Sequence, residues 1–182
     1  MMKKLFNPVA HFDERILLGA GLASVLVAVV FGYLFGFKFD ALSHITYANK
    51  DWFEVGLTTL RSYGIAIAAF FLLGILMNRR TRFIDILNTV LIANVPLVAL
   101  SLIQKLPFIS NALEAVLRNP KDLDPVVVSA LMLISLIVLP LTVLSFVLLY
   151  NGFKTTVHRK EWYHITLFVI VAVFVNFTQF LF

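Results

Sequence analysis

The chain predicts an all-α polytopic membrane protein, a bundle of five transmembrane helices with a short helix on its outer surface. Three observations predict it. Of 182 residues, 60% are hydrophobic and 14% charged, whereas soluble domains have about 45–50% and about 25%. Five separate apolar runs each reach the roughly 17–25 residues that a helix needs to cross a bilayer. The basic residues collect on alternate connecting segments, which is the signature of a fixed orientation in a membrane. Hydrocarbon offers the backbone no hydrogen bonds, so the runs are read as helices. High hydrophobicity excludes disorder. Zero cysteines exclude a disulfide scaffold, a thiolate metal site and a thiol nucleophile.

The first segment, residues 1–15, begins Met1-Met2-Lys3-Lys4 like a signal-peptide n-region. Asn7-Pro8 and His11-Phe12-Asp13-Glu14-Arg15 break any apolar run, and no small-residue cleavage site follows. It is expected to lie on the cytoplasmic surface as an interfacial segment. The transmembrane domain is expected over residues 16–182, with spans at about 16–37, 56–78, 86–104, 126–150 and 164–182. Tyr47 and Trp52, in the connection after the first span, suit an interfacial belt. The connection after the third span contains Leu113, Val116 and Leu117 at helical spacing. Asn111 stands there as an N-cap with Glu114 in the capping-box position, and Asn119-Pro120 ends the pattern. This is the predicted outer helix.

The charges set the orientation. The N-terminal segment and the connections after spans two and four hold nine basic and four acidic residues. The opposite side holds six of each, so the whole net charge of +5 lies on one side. That side includes an inner basic rim of Arg79, Arg80, Arg82, Lys154, Arg159 and Lys160. By the positive-inside rule the N-terminus is cytoplasmic and the C-terminus outside. Anionic lipid headgroups are a natural partner for such a rim.

Within span one, Gly21, Ser24, Ala28, Gly32 and Gly36 fall on one face, within about 120°. Small residues let helices approach closely in lipid, so this stripe is expected to face another helix. Arg61, Gly64 and Ala68 share a face of span two. That face is expected to turn inward, with Arg61 held by a carboxylate from Glu54 or Asp124. The alternative is an arginine that snorkels to the outer headgroups. The intramembrane polar residues are Arg61, Asn88, Asn94, Ser101, Ser135, Thr142, Asn176 and Gln179. Interhelical hydrogen bonding is their expected role. Pro96 and Pro140 are expected to kink their helices, because each removes a backbone donor.

No catalytic or metal-binding pattern emerges. His158, Glu161 and His164 stand three apart and spread around a helix rather than forming H-E-x-x-H. G-x-S-x-G, a Walker loop and G-x-G-x-x-G are absent. The chain is therefore expected not to be an enzyme and to need no cofactor.

Two stretches carry a family resemblance. One is Leu73-Gly74-Ile75-Leu76-Met77-Asn78-Arg79-Arg80-Thr81-Arg82-Phe83-Ile84-Asp85-Ile86-Leu87, followed by Ile92-Ala93-Asn94-Val95-Pro96. It has a Gly-containing turn, a basic loop, an aliphatic restart and a proline early in the next helix. The other is Val147-Leu148-Leu149-Tyr150-Asn151-Gly152-Phe153-Lys154. Both resemble the Yip (Ypt-interacting protein) domain family of small five-span membrane proteins. The resemblance implies the topology that the charges give independently. Eukaryotic members are linked to prenylated Rab GTPases and early secretory traffic, and carry a long cytoplasmic region ending in an Asp-Leu-Tyr-Gly-Pro-like motif. About fifteen residues precede span one here, without that motif. The chain thus resembles the short prokaryotic members, and no binding residue is carried over.

The resulting expectation is a non-enzymatic protein of the bacterial inner membrane. It would act by helix packing with itself, lipids or other membrane proteins, in membrane organisation or trafficking. The alternative is a small transporter or channel subunit with a polar path between spans three and four. Nucleic acid is not an expected partner.

Overall fold

A computed structural model describes residues 5–39, 41, 45–47, 51–104, 109, 111, 124–158 and 162–180. A single 3-10 turn, Pro8–Ala10, precedes the first helix. Helix α1 (Glu14–Phe35) starts where the Asp13 carboxylate accepts the Arg15 N–H at 2.8 Å. It stops at Gly36, whose φ of 71° is left-handed and whose N–H bonds the Gly32 carbonyl. A side chain is strained there, so this glycine is a true stop signal. The strands β1 (Phe37–Phe39) and β2 (Ile45–Tyr47) follow as an antiparallel pair, with Lys38 opposite Thr46.

Helix α2 (Trp52–Met77) is capped by Asp51, which accepts the Phe53 N–H at 3.0 Å. The third apolar run is two helices, α3 (Phe83–Ala93) and α4 (Val95–Gln104), separated by Asn94. Helix α5 (Pro125–Val157) has the Asp124 cap and Pro125 in its first turn. It ends at His158, which has a left-handed φ of 56°. Helix α6 (Trp162–Phe180) completes the fold.

The fold is thus an all-α bundle of membrane type. Glu14–Phe35, Trp52–Met77, Phe83–Leu100 and Pro125–Val157 are each long and apolar enough to cross a bilayer. Tyr163–Thr178 is apolar but shorter. Much of the outer surface is greasy: Leu76 is 84% exposed and Leu136 70%. In water such a surface would aggregate, whereas acyl chains cover it at no cost.

Four details differ from the sequence-based expectation. The segment after span one contains the β1–β2 hairpin, which was not expected. Helix α2 starts at Trp52 rather than residue 56, because Asp51 provides the cap. The third span is interrupted at Asn94. Helix α5 continues past residue 150 to Val157, where Gly152 lies against Thr89 and the Asn78 amide donates to the Val157 carbonyl. The predicted outer helix over residues 111–118 lies outside the described residues, apart from Asn111.

Helix α3 occupies the centre, with α1, α2 and α5 packed around it. Ile86, Val90 and Ala93 are wholly buried. Beside it an aromatic core joins three helices: Phe70 of α2 lies 5.9 Å from Phe153 of α5 and 5.4 Å from Phe168 of α6. Such ring pairs add about 0.5–1.5 kcal/mol to simple burial. At the other end Ala28, Phe39 and Val98 form a smaller cluster, so the hairpin closes that end of the bundle.

Candidate functional site

Four pieces of chain converge where α1 starts and α5 ends. They are the N-terminal segment, the start of α1, the α2–α3 turn and the last two turns of α5. The chain folds tightly here because small residues permit it. A Cβ on Gly74 would stand 2.8 Å from Thr81 Cγ2, and one on Gly152 would stand 2.7 Å from Thr89 Cγ2. Real Cβ atoms essentially never approach so closely, so a side chain at Gly74 would push the α2–α3 turn away and one at Gly152 would push α5 from α3.

Hydrogen bonds then join the pieces. The Asn78 amide donates to the Val157 carbonyl at 3.0 Å, and its own Oδ1 accepts the Arg80 N–H at 3.0 Å. The Thr81 hydroxyl donates to the Gly74 carbonyl at 3.0 Å. The Asn88 amide, buried midway along α3, donates to the Glu14 carbonyl at 3.2 Å. The N-terminal segment is held twice. The Asn7 amide donates to the Thr155 hydroxyl at 2.9 Å, and the Asn151 amide donates to the Phe6 carbonyl at 2.9 Å. Thr155 in turn donates to the Asn151 carbonyl at 2.8 Å. Asn7, Thr155 and Asn151 therefore form one donor chain, in which each bond polarises the next.

Around this cluster stands the basic rim. Arg82 pairs with Glu14 at 2.7 Å and, more loosely, with Asp85 at 3.9 Å. The Glu14 hydrogen bond holds the guanidinium above its already high ordinary pKa. Both side chains of that bridge are exposed, so solvent screens it and it adds little to stability. Arg79, Arg80 and Arg15 are exposed, as is Lys154, whose ammonium lies 5.8 Å from the Tyr150 ring centroid. Arg159 and Lys160 lie outside the described residues. Leu5, Phe6 and Phe12 are exposed on the N-terminal segment.

The other predicted residues fall into distinct places. Gly21, Ser24, Ala28, Gly32 and Gly36 are all buried. A Cβ on Gly21 would lie 2.6 Å from Leu91 Cβ, so α1 lies directly on α3 there. Gly64 and Ala68 are exposed, and a Cβ on Gly64 would meet nothing within 4 Å. Arg61 is exposed on the same face. The expectation of an inward face is corrected here. Helix α2 buries Thr59, Ser62, Tyr63, Ala66 and Phe70 instead. Its aromatic side chains fill the core, and the Ser62 hydroxyl accepts the Ala41 N–H at 2.6 Å.

Asn94 is buried at the break in the third span and donates to the Val90 carbonyl at 2.8 Å. Pro96 is buried just beyond it. The Leu97 and Val98 N–H groups both turn to the Asn94 carbonyl. The Ala93 carbonyl receives the Ser145 hydroxyl from α5 instead. Pro140 is exposed within the continuous helix α5. Ser135 is exposed and donates to Met132 of its own helix, while half-buried Thr142 donates to Val138. These two therefore do not join Asn94 in a shared polar interior. Asn176 is half-buried and donates to Ala172 at 3.1 Å. The side chains of Ser101 and Gln179 lie outside the described residues.

Sequence reading missed Asn7, Asn78 and Asn151 as connecting residues. Their signal was position: each asparagine stands beside a helix end or within its polar last turns, where backbone groups need partners. It also missed Thr89 and Gly152, whose contact joins residues far apart in the chain. A family model for the Yip1 domain matches residues 3–182. No curated protein and no solved structure matches the chain.

Proposed function

The chain belongs to the Yip1 domain family, and on that premise we propose that it is a non-enzymatic membrane protein acting through contacts. Its helices pack with a second copy, with lipids or with other membrane proteins, in membrane organisation or trafficking. It crosses the bacterial inner membrane five times over residues 16–182, with a cytoplasmic N-terminus and an outer C-terminus. Residues 1–15 lie along the cytoplasmic interface. The small residues of α1 serve packing, and the basic rim faces the cytoplasm.

One observation carries this reading. The amides of Asn78, Asn88 and Asn151 at the convergence of the four segments each hold one segment to another, while cations and apolar groups are exposed around them. Helix length agrees with it. Thirty-three residues of α5 span about 50 Å, whereas the hydrocarbon core is about 30 Å thick. The polar last turns therefore stand in the headgroup region.

The break at Asn94 is the feature that favours a transporter, because discontinuous helices often form substrate sites. Ser145 weakens that reading, since it occupies the carbonyl that a substrate would use. The test is purification in nanodiscs cut directly from native membrane, with native mass spectrometry and flux assays in liposomes. A homo-oligomer or a protein partner of fixed stoichiometry, with no solute flux, is expected. A lone chain that conducts solutes would overturn the proposal.

A further inference from the structure

We propose that the convergence of the N-terminal segment with the end of α5 is an anionic-phospholipid docking surface. The N-terminal segment lies in the interface, and Arg15, Arg79, Arg80 and Lys154 take the phosphates. This deepens the topology proposed above and rests on it.

Residues 5–12 contain no Asp, Glu, Lys or Arg. They expose Leu5 at 65%, Phe6 at 41% and Phe12 at 48%. The segment belongs to no span, so acyl chains deep in the bilayer do not cover these groups. Two hydrogen bonds fasten it to the polar turns of α5, through Asn7 and Asn151. Its 3-10 turn also packs against α1 and α3. It is held beside the headgroups with its apolar side chains outward, an arrangement that suits the boundary between headgroups and acyl chains.

The cations supply the second observation. Arg15 begins α1, Arg79 and Arg80 form the α2–α3 turn, and Lys154 stands in the last turns of α5. All four are exposed, and among the described residues none of them is in an ion pair. Arg82 is different, because Glu14 and Asp85 already neutralise it. Charges on three separate elements around one apolar segment fit a plane of phosphates. Each basic residue near an anionic surface strengthens adsorption about fivefold. Selectivity for the lipid charge follows, which plain anchoring of the spans does not require.

The chain has no cysteine, so one reporter can be placed alone. Phe12→Cys carries a bimane label in the full chain, reconstituted in phosphatidylcholine vesicles. Equal mole fractions of brominated phosphatidylglycerol or brominated phosphatidylcholine are then added. We expect several-fold stronger quenching by brominated phosphatidylglycerol, weakening as salt screens the cations. The preference should fall several-fold in the Arg79→Gln, Arg80→Gln background, where Arg15 and Lys154 remain, and persist unchanged with Lys38→Gln on the hairpin. Equal quenching by the two lipids would overturn the proposal, as would a preference unchanged in the arginine variant. A reversed orientation would show separately, by cysteine labelling in cells, without altering the quenching preference.

Discussion

Gly152 and Thr89 meet so closely that the Thr89 hydroxyl oxygen would be 2.8 Å from a Cβ on Gly152. Thr89 cannot easily yield, because its hydroxyl donates to the Asp85 carbonyl at 2.7 Å. Gly152→Ala is therefore expected to lower stability by about 1–3 kcal/mol, the usual cost of overpacking a tight contact. Thermal melting in detergent would show it, and adding Thr89→Ala should recover part of the loss. Gly64→Ala meets open space and should be neutral or slightly stabilising, since alanine favours a helix by about 1 kcal/mol over glycine. Ser145 offers a second residue-scale test. Ser145→Ala leaves the Ala93 carbonyl buried without its donor, which costs about 1–3 kcal/mol. An unchanged melting temperature would mean that another donor takes its place.

At the scale of elements, α1 and the N-terminal segment make contrasting claims. The buried face of α1 carries Gly32, whereas Val30 is 41% exposed. Gly32→Leu should destabilise by about 1–3 kcal/mol through overpacking, and Val30→Leu should not. Equal, small effects would mean that the stripe tolerates bulk and does not set the distance between helices. The N-terminal segment is held by two amide donors in addition to the packing of its 3-10 turn. Asn151→Ala removes the bond to the Phe6 carbonyl. It is expected to speed amide exchange and proteolysis of residues 5–12 while the spans stay protected. Protection of that segment equal to that of the parent chain would show that Asn151 does not fasten it.

For the whole molecule, orientation is the property to test. The proposed topology puts the α2–α3 turn in the cytoplasm and the start of α2 outside. Arg80 and Glu54 are exposed at these two places, so cysteines there report accessibility without disturbing the core. An impermeant thiol reagent should label Glu54→Cys in intact cells and spare Arg80→Cys until the membrane is permeabilised. The reverse pattern would invert the molecule. The rule behind this expectation counts Lys and Arg in short connections, and the turn around Arg79, Arg80 and Arg82 is such a connection.

Sequence alone determined the membrane bundle, because lipid imposes a length and an apolar composition on every crossing, and both are written locally. Capping was also local: Asp13, Asp51 and Asp124 each accept an N–H two residues on. The buried face of α1 was legible in the same way, since small residues at helical spacing lie within one element. Tertiary structure decided what depends on residues distant in the chain. Which face of α2 turns inward followed from the aromatic core that Phe70 shares with Phe153 and Phe168, not from the small residues Gly64 and Ala68. The length of α5 followed from Gly152 lying against Thr89 and from Asn78 receiving the end of the helix at Val157. The break at Asn94 is hinted at by Pro96, but its closure needs Ser145, which stands 52 residues beyond the Ala93 carbonyl it bonds. The cluster where α1 starts and α5 ends belongs to this second kind: its asparagine amides reach the Val157, Glu14 and Phe6 carbonyls and the Thr155 hydroxyl only once distant segments meet.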